Sequence, residues 1–122
     1  MKVENKIIRE LIHTVEFDEY YNSLDEQTKG KFTDCLAVLA TVYVINTKFA
    51  KRIVEADEGI YELRVSVGFN EYRTILFAID HENLIQATQV VLLNSFLKKD
   101  TKDYKRQVKK AINILNYLGY ET

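Results

Sequence analysis

Hydrophobic spacing changes from helical to strand-like near Gly59, and that change restricts the fold more than any other feature. Before it, Phe32, Cys35, Leu36, Leu39 and Tyr43 fall at helical spacing after Asp25, an N-cap residue type preceded by Leu24. After it, Ile60 to Val67 alternates, with Tyr61, Leu63, Val65 and Val67 on one face and Glu62, Arg64 and Ser66 on the other. Gly68-Phe69-Asn70 reverses that strand, Glu71 to Ile79 makes a second, Asp80 to Asn83 turns again, and Leu84 to Leu97 reads as a third. Ahead of these lie a strand over Ile7 to His13 and a short helix over Glu16 to Leu24. A last helix runs from Asp103, a plausible N-cap, to just before Gly119, with Tyr104, Val108, Ala111, Ile112, Leu115 and Leu118 as its apolar stripe. The pattern predicts one α+β domain over residues 1–122, with N-terminal helices and a C-terminal helix packed on a small antiparallel sheet.

The second hairpin partner decides which charges meet. A two-residue type II′ turn at Gly68-Phe69, favoured by glycine in its first central position, pairs Val67 with Asn70 and sets Arg64 opposite Arg73. A three-residue loop moves Arg73 opposite Val65 instead. Like charges facing across a ladder destabilise it unless they point into water or share an anion. The ordinary reading of each arginine is a salt bridge, Arg64 with Glu62 and Arg73 with Glu71. Arg73, in an apolar strand, reads as removable without loss of stability, and Lys98 and Lys99, as neighbours on a strand, as pointing to opposite faces.

Positive charge gathers late in the chain. The net charge is -1, yet residues 1–97 hold 10 Lys and Arg against 15 Asp and Glu, while residues 98–122 hold 7 against 3. Attraction between charges is screened beyond about 8–10 Å in physiological salt, so a local basic patch holds a phosphate chain whatever the total. Arg64, Arg73, Lys98 and Lys99, with the basic residues of the last helix, form such a patch on one meander, and a phosphate chain is its natural partner.

Several other chemistries lack support. Cys35 is the single cysteine and sits in the helical apolar pattern, as an inert thiol would. His13 and His81 stand apart, no Cys or His cluster has metal-ligand spacing, and no glycine-rich phosphate loop occurs, so no metal and no cofactor is expected. No apolar run approaches the roughly 20 residues that span a bilayer, and Met1 to Asn5 opens no targeting segment, which makes no membrane and a cytoplasmic location the expectation.

Gly59-Ile60-Tyr61-Glu62-Leu63-Arg64, Glu71-Tyr72-Arg73 and Phe96-Leu97-Lys98-Lys99, followed by Lys102 and Ala111, resemble the phage-derived HigB-like branch of the RelE/ParE toxin superfamily. The resemblance is specific over residues 59–111 and architectural before them. It implies the RelE-like fold and the toxin of a type II toxin–antitoxin pair, a metal-independent endoribonuclease that cuts messenger RNA on the ribosome. Its partners would be a cognate antitoxin, of helix-turn-helix type, and the ribosome with its messenger. Carried onto this chain, it points to Arg64, Arg73, Lys98 and Lys99 as catalytic, with Tyr104 a further candidate, while Lys102, Lys105, Arg106 and Lys109 on the basic side of the last helix are the candidates for RNA binding. Asp103-Tyr104 stands where the family often has a proline turn, which leaves the role of Tyr104 open. Glu62 and Tyr104 are both possible proton acceptors. The ParE branch, which inhibits gyrase by protein contact, and a catalytically inactive RNA-binding member share the expected fold.

Overall fold

The computed structural model describes residues 6–120, and the Met1 to Asn5 opening lies outside them. Its elements run β1 (Glu10–His13), α1 (Val15–Asn22), α2 (Glu26–Thr41), β2 (Ala50–Arg52), β3 (Ile60–Val67), β4 (Asn70–Ala78), β5 (Gln89–Leu97) and α3 (Thr101–Leu118). The five strands form one sheet in the order β1-β5-β4-β3-β2. Helices α1 and α2 cover one face around Phe17, Phe32, Leu39, Leu63 and Leu76. Helix α3 covers the other through Ala111, Ile114 and Leu115 against Ile60, Ile75, Phe77 and Leu93. Alternation along β3 and β4 supplies both cores, since successive residues face opposite sides of a sheet.

The hairpin takes the two-residue turn. Val67 pairs with Asn70 and Arg64 lies opposite Arg73. Gly68 has φ 59° while Phe69 stays out of the positive-φ region, the combination that a type II′ turn needs. Between β4 and β5 the register slips: Thr74 pairs with Ser95 but Leu76 with Leu92, leaving one extra residue on β5. Around this bulge Asn94 turns to α3, where its Nδ2 donates to the Gln107 backbone oxygen at 3.1 Å, and Phe96 faces Arg73 across the ladder.

Three expectations about the sheet need correction. The sheet is mixed, because β1 runs parallel to β5, from Glu10 beside Gln89 to His13 beside Leu92. The meander leaves the outer edge of β5 open, and β1 fills it with the following helices lying in the crossover that parallel neighbours require. A fifth strand, the three-residue β2, was not expected, and it pairs with β3 at the opposite edge. Strand β5 begins at Gln89 rather than Leu84. The carbonyls of Leu84 and Ile85 are taken by Arg9 instead of a ladder partner, and the Asp80 carboxylate takes the amides of Thr88 and Gln89.

Arg9 itself was not marked by the sequence. Its side chain is fully buried, has no carboxylate partner among the described residues, and donates to five backbone oxygens: Leu39, Val42 and Tyr43 at the end of α2, and Leu84 and Ile85 in the loop before β5. A guanidinium has five N–H donors, so every one is satisfied. The positive charge also sits at the negative end of the α2 dipole.

Asp25 caps α2 as expected, accepting from the Thr28 amide at 2.8 Å, and Thr14 caps α1. Helix α3 starts earlier than expected: Asp100 is its cap, accepting from the Asp103 amide at 2.7 Å, and Asp103 belongs to the first turn. Gly119 ends the helix with φ 84°, where an L side chain would be strained. Burial pushes the Cys35 thiol up, as suits an inert residue.

Candidate nucleic-acid interface

Beside α3, a hollow of about 370 Å³ opens between the end of β5 and the edge formed by β2 and β3. Lys51, Arg52, Arg64, Lys98 and Lys99 supply cationic groups to its wall, and Glu55, Glu62 and Asp100 supply carboxylates. Three unrelated stretches of sequence meet there because β2, β3 and the β5–α3 junction lie side by side only in the folded sheet.

Glu62 is the centre of the site. Its side chain is 10% exposed. One carboxylate oxygen accepts from the Tyr104 hydroxyl, while the other accepts from Arg64 Nε at 3.1 Å and lies 3.0 Å from Arg73 Nε. The Arg73 N–H does not point along that last contact, so it is an ion pair and the buried nitrogen has no aligned acceptor. Arg73 Nη1 also donates to the Tyr72 backbone oxygen at 3.0 Å and reaches Glu71 at 3.4 Å. Both expected salt bridges therefore exist, and a single carboxylate answers the opposed arginines that register alone would make repulsive.

The electrostatics of the cluster follow from these contacts. Burial works to raise the Glu62 carboxyl, but the Tyr104 and Arg64 hydrogen bonds and the two guanidinium charges outweigh it, and the group stays below its ordinary value. Tyr104 moves the other way. Burial, its hydrogen bond to Glu62 and the nearby carboxylate charges raise it, so at neutral pH it holds its proton and donates. Tyr104 is thus excluded as a proton acceptor at neutral pH in this arrangement.

The expected residues separate by exposure. Arg64 is on the wall, 33% exposed, with Nε spent on Glu62 and neither Nη group bonded to an acceptor among the described residues. Arg73 is 5% exposed and stands behind Glu62, off the wall. Its removal would take a partner from a buried carboxylate, contrary to the expectation that stability is unaffected. Lys98 and Lys99 both line the hollow, because β5 ends at Leu97 and strand alternation stops there. Lys102, Lys105, Arg106 and Lys109 are exposed along α3. Arg106 is paired with Asp103 at 2.6 Å, Lys105 and Lys109 border a second hollow, and Lys102 and Arg106 border neither.

Lys51 and Arg52 were missed as site residues. The one signal for them is a basic pair beside apolar Phe49, Ala50 and Ile53. Among the described residues no group of His, Cys, Asp and Glu could hold a metal ion, and no helix is long and apolar enough to cross a membrane. His13 lies 3.1 Å from Asp18 on the surface, and His81 accepts from the Asn83 amide.

The chain belongs to the phage-derived Gp49-like family, whose sequence model matches residues 19–116. Its fold is that of the E. coli toxin RelE. A free-state structure of an arginine-to-alanine double mutant of that toxin aligns with a TM-score of 0.57 at 11% identity, over 86% of this chain and 98% of the other. No curated protein matches the sequence.

Proposed function

We propose that this chain is the toxin of a type II toxin–antitoxin pair, of the HigB-like branch, and that it cuts ribosome-bound messenger RNA in the cytoplasm without a metal ion. The observation that carries the reading is Arg64: a half-free guanidinium on the wall of a cationic hollow, aimed by a buried carboxylate, beside Lys51, Arg52, Lys98 and Lys99. Family membership and the RelE fold support it.

The chemistry suits the residue types. The ribose 2′-OH attacks the adjacent phosphorus, the bond to the 5′-oxygen breaks, and negative charge builds on the phosphoryl oxygens between these events. The planar fork of Arg64 holds two such oxygens, and Lys98 and Lys99 neutralise the charge. Glu62 fixes both arginines at rest, and it becomes the better proton acceptor when a bound phosphate draws Arg64 away. Tyr104 keeps Glu62 in place through its hydroxyl hydrogen bond, and Lys98 or Lys99 gives the departing 5′-oxygen its proton while Glu62 takes the one from the 2′-OH. Lys102, Lys105 and Lys109 attract the phosphate chain beyond the hollow.

Expression in a bacterial host tests the reading. The expected result is growth arrest with transcripts cut inside coding regions, and RNA cleavage by purified protein and ribosomes that leaves a 2′,3′-cyclic phosphate end, the product of attack by the ribose 2′-OH. Arrest with a DNA-damage response and intact transcripts would favour gyrase inhibition, and RNA binding without cleavage would mark an inactive member.

A further inference from the structure

The cationic hollow does not stand alone. On the far side of Tyr104 a second hollow of about 560 Å³ runs between α3 and the segment after β2. Its floor and walls are Ile53, Tyr104, Val108 and Ile112, and Lys105 and Lys109 stand along one rim. Val108 and Ile112 are only half-buried although they belong to the apolar stripe of α3, so the helix keeps part of that stripe without a cover. From Thr101 to Ile112 the groove follows α3 for about 16 Å at a helical rise of 1.5 Å per residue.

We infer that this groove receives an acidic, amphipathic segment of a partner protein, which lays aliphatic side chains on Val108 and Ile112 and sets carboxylates against Lys105 and Lys109. The lining favours a peptide over a nucleobase, since three of its four hydrophobic residues are aliphatic and a base stacks on aromatic faces. About three turns of partner helix match the groove's length, and the i, i+4 lysines match acidic residues at the same spacing. Glu55 stands on the wall and opposes the partner's charge, but two lysines outnumber it. The groove shares Ile53, Glu55, Thr101 and Tyr104 with the cationic hollow. An occupant therefore competes with RNA for Tyr104 and silences the site by overlap. That partner's identity as the antitoxin rests on the toxin reading, while the groove's preference does not.

The test uses the full chain, labelled with 15N, and a synthetic helical peptide with leucines at i, i+4 and i+7 flanked by glutamates. The same peptide carrying lysines in place of the glutamates is the control. The expected result is saturable binding of the acidic peptide, with amide shifts centred on Ile53, Tyr104, Val108 and Ile112, and at least tenfold weaker binding of the control. Both substituted lysines are exposed, so a folded Lys105→Glu/Lys109→Glu protein is expected, and it should reverse the preference between the peptides. An all-deoxy oligonucleotide, which lacks the attacking hydroxyl, should be displaced from Tyr104 by the acidic peptide. Equal binding of both peptides, shifts elsewhere on the surface, or oligonucleotide shifts that persist at Val108 and Ile112 under saturating peptide would each overturn the inference. These readouts involve no cleavage, so their failure is distinct from failure of the nuclease reading.

Discussion

Replacing Arg73 by Ala should destabilise the fold through Glu62. The carboxylate is 10% exposed and the guanidinium 5%, so neither is well solvated. Leaving a buried charge with no partner costs about 3–5 kcal/mol. Here Glu62 keeps the Tyr104 hydroxyl and Arg64, so the expected loss is smaller, about 1–3 kcal/mol. At roughly 3–6 °C per kcal/mol for a domain of this size, the midpoint should fall by about 3–18 °C. Urea unfolding of Arg73→Ala, Glu62→Gln and the double variant separates the pair from its surroundings. The double variant should be more stable than the two single losses would sum to, by about 1–2 kcal/mol, because Gln carries no charge to strand. Acid provides a second reading. The folded Glu62 lies below its ordinary value, so its stabilisation is present above the unfolded carboxyl's range and is lost as pH falls through the folded one. The gap between wild type and Arg73→Ala should therefore narrow below about pH 4. An Arg73→Ala protein with an unchanged midpoint, or a cycle with no coupling, would refute the central place given to Glu62.

Arg9→Lys should lower stability by about 2–4 kcal/mol in urea, because an ammonium has three donors for five carbonyls. Gly59→Ala should lower it by about 1–3 kcal/mol, since φ is 88° there and a Cβ would meet Phe77 at 3.1 Å and the Ala78 oxygen at 3.3 Å. Tyr104 is raised in the folded state, so its contribution is present below the unfolded phenol's range and is lost as pH rises past it. Tyr104→Phe should accordingly flatten the alkaline decline in stability expected above about pH 10, as followed by thermal unfolding.

Local signals made much of the fold legible and explain where legibility stopped. Gly68 in the first central turn position fixed the hairpin register, and with it the opposition of Arg64 and Arg73, because the preference acts within four residues. Asp25 and Gly119 marked helix ends for the same reason. Strand β1 carries no sign of direction, since its parallel neighbour β5 lies some eighty residues away and only the crossover decides it. Strand β2 has three residues, too few for any alternation to register, and Lys51 and Arg52 were hidden with it. Arg9 resembles any charge at a strand entrance, because its partners are backbone carbonyls that no residue type announces. Within the site, the Glu62–Arg64 pair is local, but the Tyr104 contact spans 42 positions and exists only once α3 has docked. Sequence reasoning thus paired Glu62 with Arg64 and missed that the same carboxylate also meets Arg73 and Tyr104.

The most direct test of the central claim is Arg64→Ala, because Arg64 is the guanidinium placed on the wall with free donors while Arg73 serves the buried carboxylate. The measurement is cleavage of messenger RNA by purified wild-type and variant protein with ribosomes, alongside thermal unfolding of both. The account predicts a folded variant whose midpoint drops less than that of Arg73→Ala and whose cleavage rate falls by about 10²–10³-fold, the loss typical of one transition-state donor. A folded Arg64→Ala protein that cuts RNA at the wild-type rate would contradict it.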